Sequence, residues 1–343
     1  MPDQYTRTRA QLGTPALDAL RKAHVAVFGI GGVGGQAVEV LARSGVGELS
    51  LFDSDVVALS NLNRQLVALH STLGQYKVDA MAARIADIDP TIVVHANRMF
   101  YNAETAADVD LTQFDYVLDC IDTVSAKLLL IRRCKEAGVS ILCSMGAANK
   151  LDPTAFKVAD IEKTTVDPLA KVIRIECRKR RLGKVKVVFS EEPPLPPLAD
   201  ETSEPPVAAR RTVPASNAFV PAACGLVCGS EVVKDLLRKA GAKEIHMRVS
   251  APPFVSECYY GTDIDDKNKL IANHHTVEEI AEIIGVDSLG YLSLSDVVKL
   301  ADHTESGFCT ACFGGGYPTS VPQDSNKDRF ECKISEREKQ ESV

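Results

Sequence analysis

Three glycines, a pair of acids, an asparagine, an arginine and a lysine follow one another in the order a nucleotide site would use them. Gly29-x-Gly31-x-x-Gly34 closes the run VAVFGIGGVG, Asp53-x-Asp55 follows, then Asn61-Leu62-Asn63-Arg64-Gln65, then Lys77, and further on Asp122. Glycines without side chains let backbone amides approach a phosphate, and a helix N-terminus adds partial positive charge. Asp53 stands where an acid accepts hydrogen bonds from ribose hydroxyls. NAD and ATP share this fingerprint, so the residues beyond it must discriminate. A guanidinium fork at Arg64 and a point charge at Lys77, with Asn61 beside them, suit a triphosphate and its leaving pyrophosphate. Asp122 can hold Mg2+ against an α-phosphate. On spacing alone two plainer roles stay open: Ser60 or Asn61 capping a helix, and Asp122 capping the helix that follows it.

For these side chains to meet, strands and helices must alternate. Strand-like runs at 25–28, 48–52, 92–96, 116–120 and 140–143 are interleaved with helical spacing at 34–43, 77–88 and 125–137. The expected fold is α/β: a Rossmann-like, doubly wound, mostly parallel sheet with helices on both faces. Ligands collect at the carboxyl edge of such a sheet, where Asp122 follows the strand 116–120. Beyond residue 151 the regularity decays. The segment KVIRIECRKRRLGKVK at 171–186 is strongly basic, and 190–217, rich in Pro, Glu and Ala, reads as an extended mobile loop. A closely packed helix of small residues is expected at 219–239, a strand at 245–249, helices at 277–284 and 293–301, and a disordered charged tail at 321–343.

Composition bounds the function. The 343 residues, 45% hydrophobic and 25% charged, suffice for one large or two smaller domains. A net charge of -7 excludes a generic polyanion binder, so any nucleic-acid contact must be a local patch. The chain has no apolar run long enough to span a membrane, and MPDQYTRTRA does not read as a signal peptide. A cytoplasmic protein with no membrane contact is therefore expected. Ten cysteines read as free thiols or metal ligands rather than disulfides.

The run GIGGVGG…LARSGVGELSLFDSDVVALSNLNRQ…GQYKVDA…DCIDTVSAK resembles the E1-like (ThiF/MoeB/HesA) adenylating superfamily. YTRTRAQLG, SMGAANKLDPT, VDPLAKVIR and KVVFSEEPP resemble its tRNA threonylcarbamoyladenosine dehydratase branch, over about residues 5–236. The resemblance implies an E1-like adenylation domain at 1–236. Gly29, Gly31 and Gly34 would hold ATP phosphates and Asp53 the ribose; Asn61, Arg64 and Lys77 would contact the triphosphate, and Asp122 would bind Mg2+. Arg7 matches an arginine that reaches into a neighbour's site in relatives, implying a homodimer. The implied reaction is ATP-dependent cyclisation of N6-threonylcarbamoyladenosine (t6A), at position 37 in the tRNA anticodon loop, through an acyl-adenylate. Some relatives engage a cysteine desulfurase or sulfur-acceptor partner, and a monovalent cation also comes with the resemblance; no residue here is assigned to either.

Most of the superfamily adenylates the C-terminal glycine of a ubiquitin-like or sulfur-carrier protein, and that activity is the alternative. A non-catalytic ATP sensor and a nicotinamide dehydrogenase are further readings. Arg174, Arg178, Lys179, Arg180 and Arg181 crowd one segment of an acidic protein, and tRNA phosphates would relieve their mutual repulsion. A solvated helix face is the plainer account of the same charges. Cys224 and Cys228, on an apolar helix, read as small core residues rather than half of a zinc site. Cys177, inside the basic run, is a conceivable nucleophile if cations favour its thiolate.

From about Leu237 to 320, LRKAGAKEIHMRVSAPPFVSECYYGTDI, GVDSLGYLSL and GFCTACFGGGYP resemble the C-terminal part of glutamine amidophosphoribosyltransferase. This fragment-like segment lacks that family's nucleophilic N-terminal cysteine, since residue 2 is Pro, and its phosphate-binding strand and loop, so no phosphoribosyl transfer is expected. Cys258, Cys309 and Cys312 match three of four cysteines that hold an iron–sulfur cluster in some members. Reduced thiols are expected there, rather than a cluster or zinc. Activity is expected to survive deletion of everything after about residue 240.

Overall fold

The computed structural model describes residues 3–196, 215–241, 244–259, 267–299, 309–314 and 316–320. The chain divides into two compact units, Met1–Ala242 and Lys243–Val343. Most of the Pro-rich loop, the end of the helix expected at 293–301 and the charged tail fall outside the described residues.

The first unit is built on a seven-stranded sheet. Its strands are β1 (His24–Phe28), β2 (Glu48–Phe52), β3 (Val93–Asn97), β4 (Tyr116–Asp119), β5 (Ser140–Ser144), β6 (Phe156–Asp160) and β7 (Lys186–Ser190), in the order β3-β2-β1-β4-β5-β7-β6. All neighbours pair in parallel except the edge strand β6, which runs antiparallel to β7. Both faces of the central strands are covered, so they read as continuous apolar runs such as HVAVF and ELSLF. The mostly parallel α/β sheet expected from the sequence is the one observed.

Two helical layers sandwich it. Helices α2 (Thr14–Lys22), α3 (Gly34–Ser44), α4 (Lys77–Ile88) and α7 (Val220–Lys239) share one core with Val25, Val27, Leu49, Leu51 and Leu118. Helices α5 (Val124–Ala137) and α6 (Pro168–Lys179) share the other with Ala26, Phe28, Val117, Cys143 and Val187. Helix α7 packs closely on α3, as its small residues suggest: a Cβ at Gly225 would lie 2.3 Å from the Val33 carbonyl oxygen, and one at Gly229 would lie 2.6 Å from Val40 Cβ. Helix α1 (Thr6–Leu12) is anchored by Tyr5, whose buried hydroxyl donates to Asp89 at 2.7 Å.

The decay of regularity beyond residue 151 is where the expectation differs most from the structure. Residues 171–186 are not one basic stretch. They comprise most of α6, a turn with Arg181 at φ 54°, and the approach to β7. Helix α6 buries Ala170, Ile173 and Cys177, begins with Pro168, and is capped by Asp167, whose carboxylate accepts from the Ala170 amide at 2.8 Å. Its cations other than Arg174 face outward, and their density hid the apolar stripe.

The second unit is small. Strands β8 (His246–Val249) and β9 (Ser288–Tyr291) pair in parallel, with helix α8 (Val277–Ile284) between them in sequence and α9 (Leu294–Lys299) after them. Thr276 and Glu279 form a capping box on α8, and Ile280, Ala281, Val286 and Leu289 make a compact core. Among the described residues no helix is long and apolar enough to cross a membrane.

Candidate functional site

A cleft of about 370 Å³ opens at the carboxyl edge of the sheet, where the chain departs from β1 toward β2 on one side and β4 lies on the other. This reversal of strand order is where ligands sit in doubly wound sheets. Gly29, Gly31, Asp53, Asn61, Arg64, Lys77 and Asp122 all line it. Seven side chains and glycines spread over nearly a hundred residues of sequence thus face one space.

The three glycines serve different needs. Gly29 has φ +90°, and a Cβ there would lie 2.7 Å from the Cys120 carbonyl oxygen. Gly34 is not among the lining residues; it starts α3, and its Cβ would overlap the Gly29 carbonyl oxygen at 1.8 Å. Both are demanded by close packing of the turn. At Gly31 the nearest atom to a Cβ would be Gln65 Nε2 at 4.0 Å, so no protein contact requires glycine. The bare backbone there leaves a cradle that suits a phosphate.

Asp53, at the end of β2, is fixed by its own backbone bonds. One oxygen accepts from the Ile30 amide of the glycine loop at 2.7 Å, the other from Asp55 N at 2.8 Å, and each retains lone-pair capacity toward the cleft. Residues 55–57 are laced to 75–77 by backbone bonds, which sets Lys77, the first residue of α4, beside Asp55. Lys77 Nζ donates to Asp55 Oδ2 at 2.7 Å; the lysine side chain is 6% exposed and the aspartate 65%. Arg64 Nη1 donates to the Ser60 carbonyl and to Asn63 Oδ1, which aim its guanidinium. Neither Ser60 nor Asn61 is the cap of the short 3-10 turn Leu59–Asn61, whose cap position is Ala58; Asn61 ends the turn, its Oδ1 accepts from Ala58 N at 3.1 Å, and the residue lines the cleft.

Asp122 does not cap α5. The cap position belongs to Thr123, and Asp122 is exposed, with a 3.3 Å hydrogen bond from the Thr123 hydroxyl. Its loop is held from beneath by a fully buried pair. Lys127 Nζ donates to Asp119 Oδ2 at 2.8 Å and to the Ser144 carbonyl at 2.9 Å, and Asp119 Oδ1 accepts from Ile121 N at 3.0 Å. Burial alone would lower the Lys127 pKa, but Asp119 together with Cys143 and Cys120 outweighs it and holds the amine above its ordinary value. A second buried pair, Lys150 with Asp167 at 2.9 Å, joins the SMGAANKLDPT and VDPLAKVIR segments.

Several lining residues were not singled out from sequence. Asp55 and Gln65 stood inside the quoted motifs. Gln65 is buried and its Oε1 has no hydrogen-bond partner, an orphaned acceptor at the cleft floor that a bound ligand can satisfy. Phe100 and Tyr101, after β3, give an apolar wall; they gave no spacing signal, and only the strand order brings them there. The orphaned Gln65 oxygen, the Gly31 cradle and the Arg64–Lys77 cations fit a nucleoside polyphosphate. One exposed carboxylate at Asp122, beside that phosphate position, is the donor set with which Mg2+ is usually held.

The other expected residues lie away from the cleft lining. Arg7 is exposed on α1. Arg174 turns inward to the Thr164 carbonyl and hydroxyl, Arg178 pairs with Glu162, and Lys179 and Arg180 pair with Glu176. The basic run is thus interleaved with acids, and the repulsion inferred from its composition is largely neutralised. Cys177 is buried against the second core, and burial outweighs the cations Arg180 and Lys135 and raises its thiol to about 11, against the conceivable role as a nucleophile. Cys224 and Cys228 are buried in the first core. Cys258, Cys309 and Cys312 belong to the second unit, where burial, followed by Cys258, raises the Cys312 pKa.

Comparison with known proteins establishes the family. The ThiF family pattern matches residues 5–252. The tRNA threonylcarbamoyladenosine dehydratase of Bacillus subtilis (strain 168) is 45% identical over 251 residues, covering 71% of this chain and 99% of that protein. The crystal structure of E. coli tRNA N6-threonylcarbamoyladenosine dehydratase in complex with ATP superposes with a TM-score of 0.61 at 32% identity, covering 70% of this chain and 96% of that one. A separate likeness, 48% identity over 95 residues, is to the amidophosphoribosyltransferase of Methanothermobacter thermautotrophicus; it covers 28% of this chain and only 20% of that enzyme. The chain belongs to the ThiF family, on the branch of the tRNA threonylcarbamoyladenosine dehydratases.

Proposed function

We propose that this chain is an ATP-dependent dehydratase that closes the t6A nucleoside of tRNA to its cyclic form. The observation that supports this most is that Arg64, Lys77 and Asp122 line one cleft with the glycine loop, in a chain whose first 71% or so matches a dehydratase over 99% of that enzyme's length. Amides of the 29–31 turn and the α3 N-terminus cradle the phosphates, Asp53 accepts from the ribose, and Phe100 and Tyr101 wall the cleft. The threonyl carboxylate oxygen attacks the α-phosphorus, the bond to the β-phosphate breaks, and pyrophosphate leaves. Arg64 and Lys77 neutralise the charge that builds on that leaving group, Lys77 exchanging Asp55 for phosphate. Asp122 would hold Mg2+, which when bound shields the attacked phosphate. A heteroatom of the ureido group of t6A then attacks the acyl carbon, gives up its proton to solvent and expels AMP, so that the nucleoside loses one water overall.

The reading carries further assignments. The protein is cytoplasmic and a homodimer, with Arg7 reaching the partner's cleft. The exposed pairs of Arg178, Lys179 and Arg180 are weak enough to exchange for tRNA phosphates, with Arg181 and Arg174 beside them. Sedimentation and the salt dependence of tRNA affinity in charge-removal variants test these two points. The central test is nucleoside mass spectrometry of t6A-bearing tRNA incubated with ATP and Mg2+. We expect a product lighter by one water, formed only with ATP. Arg64→Ala and Asp122→Ala should each lower it by roughly a hundredfold to a thousandfold with unchanged melting. Near-normal turnover in either variant removes that residue from the mechanism. ATP–pyrophosphate exchange that requires a sulfur-carrier protein, with tRNA inert, would replace the proposed substrate.

A further inference from the structure

At the end of the sheet opposite the cleft, the amino ends of β1 and β2 and the middle of β3 bring three ligating side chains together. His24, Glu48 and His95 present donor atoms that all lie within 4.8 Å of one another, the one such group of three found among the described residues. Register accounts for it. His24 stands opposite Glu48 and Ser50 opposite His95, and residues two apart share a face, so all four side chains rise from one side of the sheet.

The geometry is closer to a coordination shell than to a chain of hydrogen bonds. His95 Nε2 lies 2.8 Å and His24 Nδ1 3.6 Å from the same oxygen, Glu48 Oε1. Donors around a tetrahedral zinc ion, at bond lengths of about 2.0–2.1 Å, are roughly 3.3–3.4 Å apart, between these two separations. The other nitrogen of His24, Nε2, is 2.9 Å from Ser50 Oγ. With its proton given to that hydroxyl, as ligating histidines give theirs to an orienting acceptor, the Nδ1 lone pair faces a carboxylate oxygen. A cation between them relieves the repulsion. Phe114 packs edge-on against the His24 ring with centroids 4.8 Å apart, and Asp115 accepts from the His24 amide at 2.9 Å, so the ring is braced and another negative charge is near.

We propose that His24, Glu48 and His95 bind a zinc-class divalent ion, remote from the nucleotide cleft, with solvent completing the shell. Two imidazoles and a carboxylate suit late first-row ions rather than Mg2+. Held there, the ion ties the amino ends of β1 and β2 to the middle of the edge strand β3. The role is structural, since none of the three ligands lines the cleft.

The test is titration of the full, metal-stripped chain with Zn2+ and, as an optical probe, Co2+, without nucleotide. We expect one equivalent bound through nitrogen and oxygen, a Zn2+-induced rise in melting temperature, and at least tenfold weaker binding in both His95→Ala and Glu48→Gln. These two side chains are 49% and 39% exposed, so the variants should melt like the parent without metal. Cysteine thiols are competing donors, and thiolate-to-cobalt absorption identifies any ion they hold. Absence of binding, binding unchanged in the two variants, or a spectrum carried by thiolate bands overturns the proposal.

Discussion

Replacing Lys127 by methionine probes the support of the site rather than its chemistry. The lysine and Asp119 are both 0% exposed, so no water can replace the missing amine. After the substitution Asp119 keeps the hydrogen bond from Ile121 N, while the Ser144 carbonyl loses the one from Lys127. Stranding one charge of a buried pair costs about 3–5 kcal/mol, against a total of about 5–15 for a folded domain. For a unit of this size each kcal/mol moves the melting temperature by about 2–4 °C, which gives a fall of roughly 6–20 °C. Thermal unfolding followed by circular dichroism on the full chain measures it. The control is Asp119→Asn with Lys127→Met: with no charge left behind, and Asn still able to accept from Ile121, most of the loss should be recovered. A fall under about 3 °C in Lys127→Met, or a double variant less stable than the single, would refute the claim that this pair is dry and mutually dependent.

Gly31→Ala, which meets nothing in the protein nearer than 4.0 Å, should melt like the parent yet bind ATP at least tenfold more weakly, whereas Gly34→Ala, facing a carbonyl oxygen at 1.8 Å, should destabilise the fold; equal melting of the two would contradict the division of roles. Deleting residues after Ala242, at the boundary between the units, should leave ATP-dependent dehydration intact, and its loss would show that the second unit is needed. Burial depresses the His24 pKa, outweighing Glu48, so the folded state binds fewer protons than the unfolded chain just below about pH 6.5. The stability this gives is full above that pH and is lost as pH falls through the folded value; with chelator present, His24→Asn should flatten the decline in melting temperature between about pH 6.5 and 5, and an unchanged slope would count against it.

Much of this architecture was legible because the first half of the chain states its elements locally. The helix at 77–88 and the strand at 48–52 have the bounds expected from spacing, and the run from Gly29 to Lys77 placed its residues around one cleft. What could not be read depends on contacts distant in sequence. Strand β6 is short, partly exposed and antiparallel, so neither a buried run nor an alternation marks it. In α6 the outward cations masked Ala170, Ile173 and Cys177, and Glu162, the partner of Arg178, lies in the preceding loop. Composition therefore overstated the free positive charge there. Phe100 and Tyr101 reach the cleft only through the pairing of β3 with β2, a fact of topology with no signature in the residues themselves.

The two lysine–aspartate pairs around the cleft show why some charges can serve a ligand and others only the fold. Lys77 is almost buried, but its partner Asp55 is 65% exposed, so releasing it returns a carboxylate to water at little cost. The amine is then free for a phosphate, which offers more negative charge in a more enclosed place. Lys127 and Asp119 have no such exit; separating them would leave both groups dry, so no ligand can recruit either. Exposure of the acid, rather than the identity of the lysine, thus divides the two. Asp55→Asn should separate these roles experimentally. Melting should change little, and ATP should bind at least as well because Lys77 no longer has a competing anion. A large fall in affinity would mean that Asp55 orients Lys77 for the phosphate instead of merely holding it until the phosphate arrives.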